Sequence, residues 1–380
     1  MDVRTAPHTR FLTALGSQAE GSPGSLASRA GLLAMRLVDR WMESTTGGAA
    51  PPPEQVEAVY AAIAAADADP IPTLVHALVD ATLAAWGRPC DAVGTALLAY
   101  GRRLHYEGAF ALASDVYETF IRYARVVDDD ERLADAHLRH GLSLRRGDDL
   151  DAALRAYAAA GDIAAITGDR RVAWLARTGA ANVARQRGWL ADASAALDAV
   201  IADVTPVLGS LPGADDVFAR ASHDRAVIEI ASGRLEAAVV LLYRALERYT
   251  DVRHRQRVLH DLALAFVDLG MLDVGRDALQ VVSATADEPD LRVRADSNLM
   301  WVAVLAGQET VYERYRRVLA EVPLTGEVAA HYAMCVEEAG RRFGAAAGPI
   351  VVTTWDGEPS PLVADVADAV REMHALVTAG

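Results

Sequence analysis

Residues 101–120 read GRRLHYEGAFALASDVYETF, two apolar-periodic stretches that meet at Gly108. Gly101 and Leu104 belong to the first stretch. Phe110, Ala113, Tyr117 and Phe120 follow at spacings of 3, 4 and 3, which puts them on one face of a helix. A glycine between two helices serves where the backbone must take an unusual φ. The segment therefore predicts an antiparallel helical hairpin. Ala113 sits where its two helices approach most closely, and Tyr117 is a knob directed at the next element.

The same register recurs outward from this hairpin. The turn position returns at Gly108, Asp148, Gly188, Gly233, Gly270 and Gly307, with separations of 40, 40, 45, 37 and 37 residues. Two residues after each turn come Phe110, Leu150, Leu190, Leu235, Leu272 and Glu309. Five after it come Ala113, Ala153, Ala193, Ala238, Gly275 and Tyr312; nine after it come Tyr117, Tyr157, Leu197, Leu242, Leu279 and Arg316. A single hairpin cannot bury its own apolar face, so hairpins in register must stack.

These columns resemble the tetratricopeptide repeat, in which a small residue is followed seven positions later by a turn Gly and then by Gly-x-[Tyr/Phe]-x-x-Ala-x-x-x-[Tyr/Phe]. Gly101, Gly108, Phe110, Ala113 and Tyr117 match it. So do Gly141, Leu144, Leu150, Ala153 and Tyr157; Ala181, Gly188, Leu190 and Ala193; and Ala226, Gly233, Leu235, Ala238 and Leu242. The resemblance spans about 91–322 as six repeats and fades in the sixth, where Tyr312 replaces the small residue. It implies an all-α, right-handed superhelical solenoid of antiparallel helix pairs. The period exceeds the family's usual 34, and the terminal proline column is absent from most units. A HEAT-type array is the rival by length, but the Gly-x-Leu-x-x-Ala register persists through units of different length. Similar stretched repeats occur in the sensor and partner-binding parts of bacterial regulators.

The flanks differ. Residues 1–23 are rich in Gly, Ser and Pro and read as a flexible segment. Residues 24–90 read as an N-terminal helical cap, with helices near 26–42, 54–67 and 72–87 split by the Pro51-Pro52-Pro53 and Asp69-Pro70-Ile71-Pro72 linkers. Residues 323–347 read as a capping helix, and 348–380 as a short extended Ile350-Val351-Val352 segment followed by a C-terminal helix. Thr205–Gly213 reads as a long inter-unit loop.

Composition narrows the functional classes. The chain has 380 residues, a formal net charge of −15 and a pI near 5.1, which argues against a non-specific grip on nucleic acid. Every Lys/Arg position is arginine, so each permanent cation is a planar fork suited to carboxylates. Cys90 and Cys335 are far apart and read as free thiols in a reducing compartment. The N-terminus has no apolar run of signal-peptide length and no run of about 18 apolar residues exists to span a bilayer, so a cytoplasmic location is the expectation.

Motifs for chemistry are missing: no Gly-rich phosphate loop, no His-Glu-x-x-His and no hydrolase nucleophile elbow. His137 and His140 share a helix at metal-ligand spacing, but no third ligand lies nearby in sequence, and both are expected to face solvent. Trp174, Trp189 and Trp301 are expected in inter-unit packing. No enzyme activity, cofactor or metal is expected.

In the repeat family the first helix of each unit lines a concave groove. Projecting its inner positions gives Arg102, His105, Arg145, Arg146, Thr178, Asn182, Arg185, Gln186, Arg220, His223, Arg257, His260, Arg294 and Ser297. The stripe is basic and polar inside an acidic molecule. It predicts a scaffold for a protein or peptide partner, acidic or bearing a free C-terminal carboxylate. The resemblance further implies that Asn182 and Arg185 stand where the family clamps a peptide carboxylate, although Val227 replaces the matching Asn of the next unit. The alternative is a sensor or regulatory module controlling a transcription or signalling partner.

Overall fold

The computed structural model describes residues 8–45, 49–66, 71–324 and 326–344; among them all regular structure is helical, with no strand. The chain divides into two compact units, one ending at Trp189 and the other beginning at Leu190.

The first unit holds α1 (Thr9–Ser17), α2 (Pro23–Ser44), α3 (Pro53–Ala65), α4 (Ile71–Ala84), α5 (Asp91–Tyr106), α6 (Phe110–Val126), α7 (Asp130–Arg146), α8 (Leu150–Thr167) and α9 (Arg170–Gln186). The second holds α10 (Leu190–Val204), α11 (Ala214–Ala231), α12 (Leu235–Arg248), α13 (Val252–Asp268), α14 (Leu272–Thr285), α15 (Pro289–Leu305), α16 (Glu309–Ala320) and α17 (Gly326–Phe343). From α4 to α9, and again from α10 to α16, each helix packs on the next in sequence; α17 packs back on α15. Each unit is an all-α array of helical repeats of the tetratricopeptide-like class.

Local chemistry sets the helix ends. The side chains of Asp129, Asp149, Asp169 and Asp251 accept the N–H of Arg132, Ala152, Val172 and His254, opening α7, α8, α9 and α13. Each such cap contributes about 1 kcal/mol. These loop aspartates therefore serve helix N-termini. The first helices close alike. Gly108, Asp148, Gly188, Gly233, Gly270 and Gly307 all take φ between 66° and 81°. The next residue then donates its N–H back across the last turn: Ala109 to Leu104, Asp149 to Leu144, Trp189 to Ala184, Arg234 to Glu229, Met271 to Phe266 and Gln308 to Ala303. That 6→1 bond with a left-handed residue before it is the Schellman closure.

The small-residue columns are where helices touch. A Cβ on Gly101 would stand 2.8 Å from the Tyr117 ring, and one on Gly141 would stand 2.8 Å from Tyr157. Ala113, Ala153, Ala193 and Ala238 are fully buried, and a Cβ on Gly275 would meet Val267 at 2.6 Å. Tyr117, Tyr157, Leu197, Leu242 and Leu279 are buried knobs, each worth about 2 kcal/mol of apolar burial.

Several expectations need correction. Residues 9–17 are not a loose segment: they form α1, which packs on α2 and α6. The cause is tertiary. Asp115 of α6 accepts the backbone N–H of Arg10 and Phe11 and the Arg10 guanidinium, while Arg10 also reaches Glu118. Phe11 is fully buried against the Gly31 notch of α2, and buried His8 pairs with buried Asp39, which also faces Arg122. His137 and His140 are half-buried rather than solvent-facing. Burial pushes both imidazoles down to about 4, although Glu118 partly offsets this at His140. Trp174 is buried as expected, but Trp189 is exposed beneath the Arg187 guanidinium. The long gap before α11 contains a 3-10 turn at Thr205–Val207. The extended segment and helix read from 348–380 lie outside the described residues.

Candidate binding face

The residues projected from the sequence lie on α5, α7 and α9 in the first unit and on α11, α13 and α15 in the second. They differ sharply in how their charges are met.

On α5, Arg102 is exposed, and His105 is half-buried with Nδ1 3.0 Å from the Ser143 hydroxyl of α7. On α9, Thr178 is buried and donates to the Trp174 carbonyl of its own helix. Asn182 is only 5% exposed; its amide donates to the Thr178 carbonyl and its oxygen accepts the Arg185 Nε–H at 3.3 Å. Both ends of Asn182 are thus engaged within α9, which buttresses Arg185. Arg146 and Gln186 are exposed.

Arg145 of α7 stands apart. It is 9% exposed, and among the described residues its guanidinium makes one hydrogen bond, a long one, 3.4 Å from Nη1 to the Gln186 amide oxygen on α9. Its Nε has no hydrogen-bond partner, and no carboxylate pairs with it among the described residues. The negative end of the α7 dipole lies nearby, because Arg145 is in the last helical turn, but that offsets at most about 2 kcal/mol. A buried guanidinium lacking a counter-ion is costly by several kcal/mol.

In the second unit most of the stripe's charges are matched internally. Arg257 of α13 makes a bidentate pair with Glu288 at 2.8–3.1 Å. Burial disfavours charge at Arg220 of α11, but a hydrogen bond with Tyr249 and the charges of Asp216 and Asp224 outweigh it and raise its pKa. His223 Nε2 lies 2.7 Å from Asp261 Oδ2, and His260 Nδ1 lies 3.1 Å from Asp261 Oδ1. Burial alone would lower His223, but Asp261 and Asp224 outweigh it and its pKa is raised; Arg257 opposes them. Asp261 is correspondingly held below the ordinary carboxylate range by its two imidazoles despite burial. His260 Nε2 in turn meets the Asn298 amide of α15 at 3.1 Å. Ser297 bonds His331 of α17 at 2.7 Å, and Arg294 is exposed.

Asp261, Asn298, Ser143 and His331 were not among the residues projected from the sequence. A signal for some of them was present. Arg145 reaches Gln186 across 41 residues, and His223 reaches Asp261, and His260 Asn298, across 38. The turn spacing is 40 residues at the first pair and 37 at the other two, so each bond spans one residue more than the local period. Polar residues at period plus one are therefore partners on adjacent first helices. Among the described residues no cluster of three metal-ligating side chains occurs, and no helix is long and apolar enough to cross a membrane.

No family model and no curated protein matches the chain. Among solved structures, it is similar to a Rap protein complexed with competence and sporulation factor, at 10% identity and a TM-score of 0.47 over 98% of this chain and 99% of that one. It is similar to the Rap conjugation gene regulator of plasmid pLS20 in complex with the Phr* peptide, at 14% identity and a TM-score of 0.44 over 84% and 98% of the chains. It is also similar to TPR-like repeats of a Podosopora anserina putative kinesin light chain, at 17% identity and a TM-score of 0.39 over 56% and 98%. Similarity this slight says nothing of what the chain binds.

Proposed function

We propose that the chain is a protein-interaction scaffold that holds an acidic peptide segment on the first-helix face of its first unit. The observation that carries this reading is Arg145, buried, cationic and without a carboxylate. A ligand carboxylate is the partner this fork suits best, because two N–H groups match two oxygens in one plane. Arg102, Arg146 and Arg185 add positive charge on the same three helices and would steer such a segment toward Arg145. In the second unit Arg257 is already matched by Glu288.

The test is fluorescence anisotropy with a labelled hexaglutamate peptide at low salt, with hexaserine as the uncharged control. Hexaglutamate alone should bind the wild type, and Arg145→Ala should weaken it by tenfold or more. Absence of binding to the wild type, or equal binding by Arg145→Ala, overturns the reading.

A further inference from the structure

We infer that Gln186 is the specificity-determining residue of this face, and that its amide keeps Arg145 selective for an anion brought by the ligand. The inference deepens the acidic-peptide reading and rests on it for its binding arm. Other half-buried guanidinium groups of the chain meet a carboxylate closely, whereas Arg145 meets only an amide at 3.4 Å: Arg122 faces Asp39 and Arg276 faces Asp277 at 2.8 Å, and Arg225 pairs with Glu229. Arginine only donates, so the Gln186 side chain must present its oxygen to Nη1. That oxygen orients the guanidinium without neutralising it. A glutamate at 186 would place a full negative charge at the same point with the same reach. It would complete an internal ion pair and compete with any incoming carboxylate.

Gln186 is exposed while Arg145 is buried, so the pair is reached from the solvent side of α9. The arrangement separates two jobs that one residue usually performs. Gln186 sets the direction of the fork, and the ligand supplies the charge. The amide thereby trades stability of the free chain for affinity toward an anion.

The experiment uses the full chain and two variants, Gln186→Glu and Gln186→Met, each assayed for heat stability at low salt and for hexaglutamate binding. Gln186→Glu should melt about 2–4 °C higher, the shift that one newly satisfied ion pair gives a unit of this size, and should lose at least tenfold in affinity. Gln186→Met, which removes the orienting oxygen without adding a charge, should lose less affinity than Gln186→Glu and gain no heat stability. A Gln186→Glu chain no more heat-stable than the wild type overturns the inference whatever the peptide does. Equal losses of affinity in the two variants overturn it as well. A wild type that ignores hexaglutamate sinks the acidic-peptide reading instead, so the two failures are told apart.

Discussion

The ring of Tyr157 lies across Gly179 so closely that a Cβ at position 179 would stand 2.4 Å from it, and the same ring covers Gly141 at 2.8 Å. One aromatic of α8 is thus seated between α7 and α9, the two helices that carry Arg145 and Gln186. The packing of the first unit and the alignment of its candidate site share this contact.

Gly179→Ala should therefore destabilise the chain by about 2 kcal/mol through overpacking. Urea unfolding measures it. Gly161→Ala is the control, because its nearest outside neighbour is Ala176 Cβ at 4.0 Å. There the better helix propensity of alanine should stabilise by about 0.5–1 kcal/mol. Equal effects at the two sites would show that the Tyr157 seat is not tight.

The turn positions make a second pair of opposed substitutions. Gly108 has φ +76 and open space around its would-be Cβ, so Gly108→Ala should cost about 1 kcal/mol from backbone strain alone. Asp148 already occupies this region as a non-glycine residue at φ 66. Asp148→Gly should be neutral or stabilising by several tenths of a kcal/mol. Thermal midpoints of the two variants must move in opposite directions or leave Asp148→Gly unmoved.

Asp115→Ala should release α1. The substitution removes the acceptor of two backbone N–H groups and of the Arg10 guanidinium. Amide exchange over residues 9–17 should accelerate at least tenfold, while exchange in α13 should not change. Retained protection in α1 would show that Phe11 and His8 suffice to anchor it.

His137 and His140 should respond to pH with the opposite sign to His223. His137 and His140 titrate near 4 when folded, below their ordinary 6.5. The unfolded chain takes up protons first, so these groups lower stability as pH falls from about 6.5 toward 4. The slope is at most about 1.4 kcal/mol per pH unit for each. His223 has a raised pKa, so its contribution is complete below its ordinary value and is lost as pH rises through the folded one. Urea midpoints at pH 5 and 7.5 check both signs. The double change His137→Gln, His140→Gln should relieve the acid loss, and His223→Gln should remove the gain below neutrality.

The hairpin register was legible because it is written in local terms. A left-handed turn demands Gly or a tolerant Asp, and the small residue five later answers a close approach that repeats with each unit. Helix α1 was not legible: His8 gives it no side-chain cap, and Asp115, which supplies one, stands 105 residues from Arg10. The first-helix stripe could be projected from the repeat, but its charge balance could not. Glu288 and Tyr249, which satisfy Arg257 and Arg220, come from positions just outside α15 and α12. Thr178 and Asn182 fell in the right column yet are turned inward to serve α9.

The borrowed cap of α1 also fixes an order of events during synthesis. Residues 9–17 leave the ribosome while Asp115 is not yet made, and at about 5–20 residues per second the delay is on the order of 5–20 s. For that interval Phe11 has no pocket and the first amides have no acceptor. Helix α1 is thus made well before the helix that anchors it, and residues 9–17 stay open to cleavage, modification or chaperone capture until α6 has emerged.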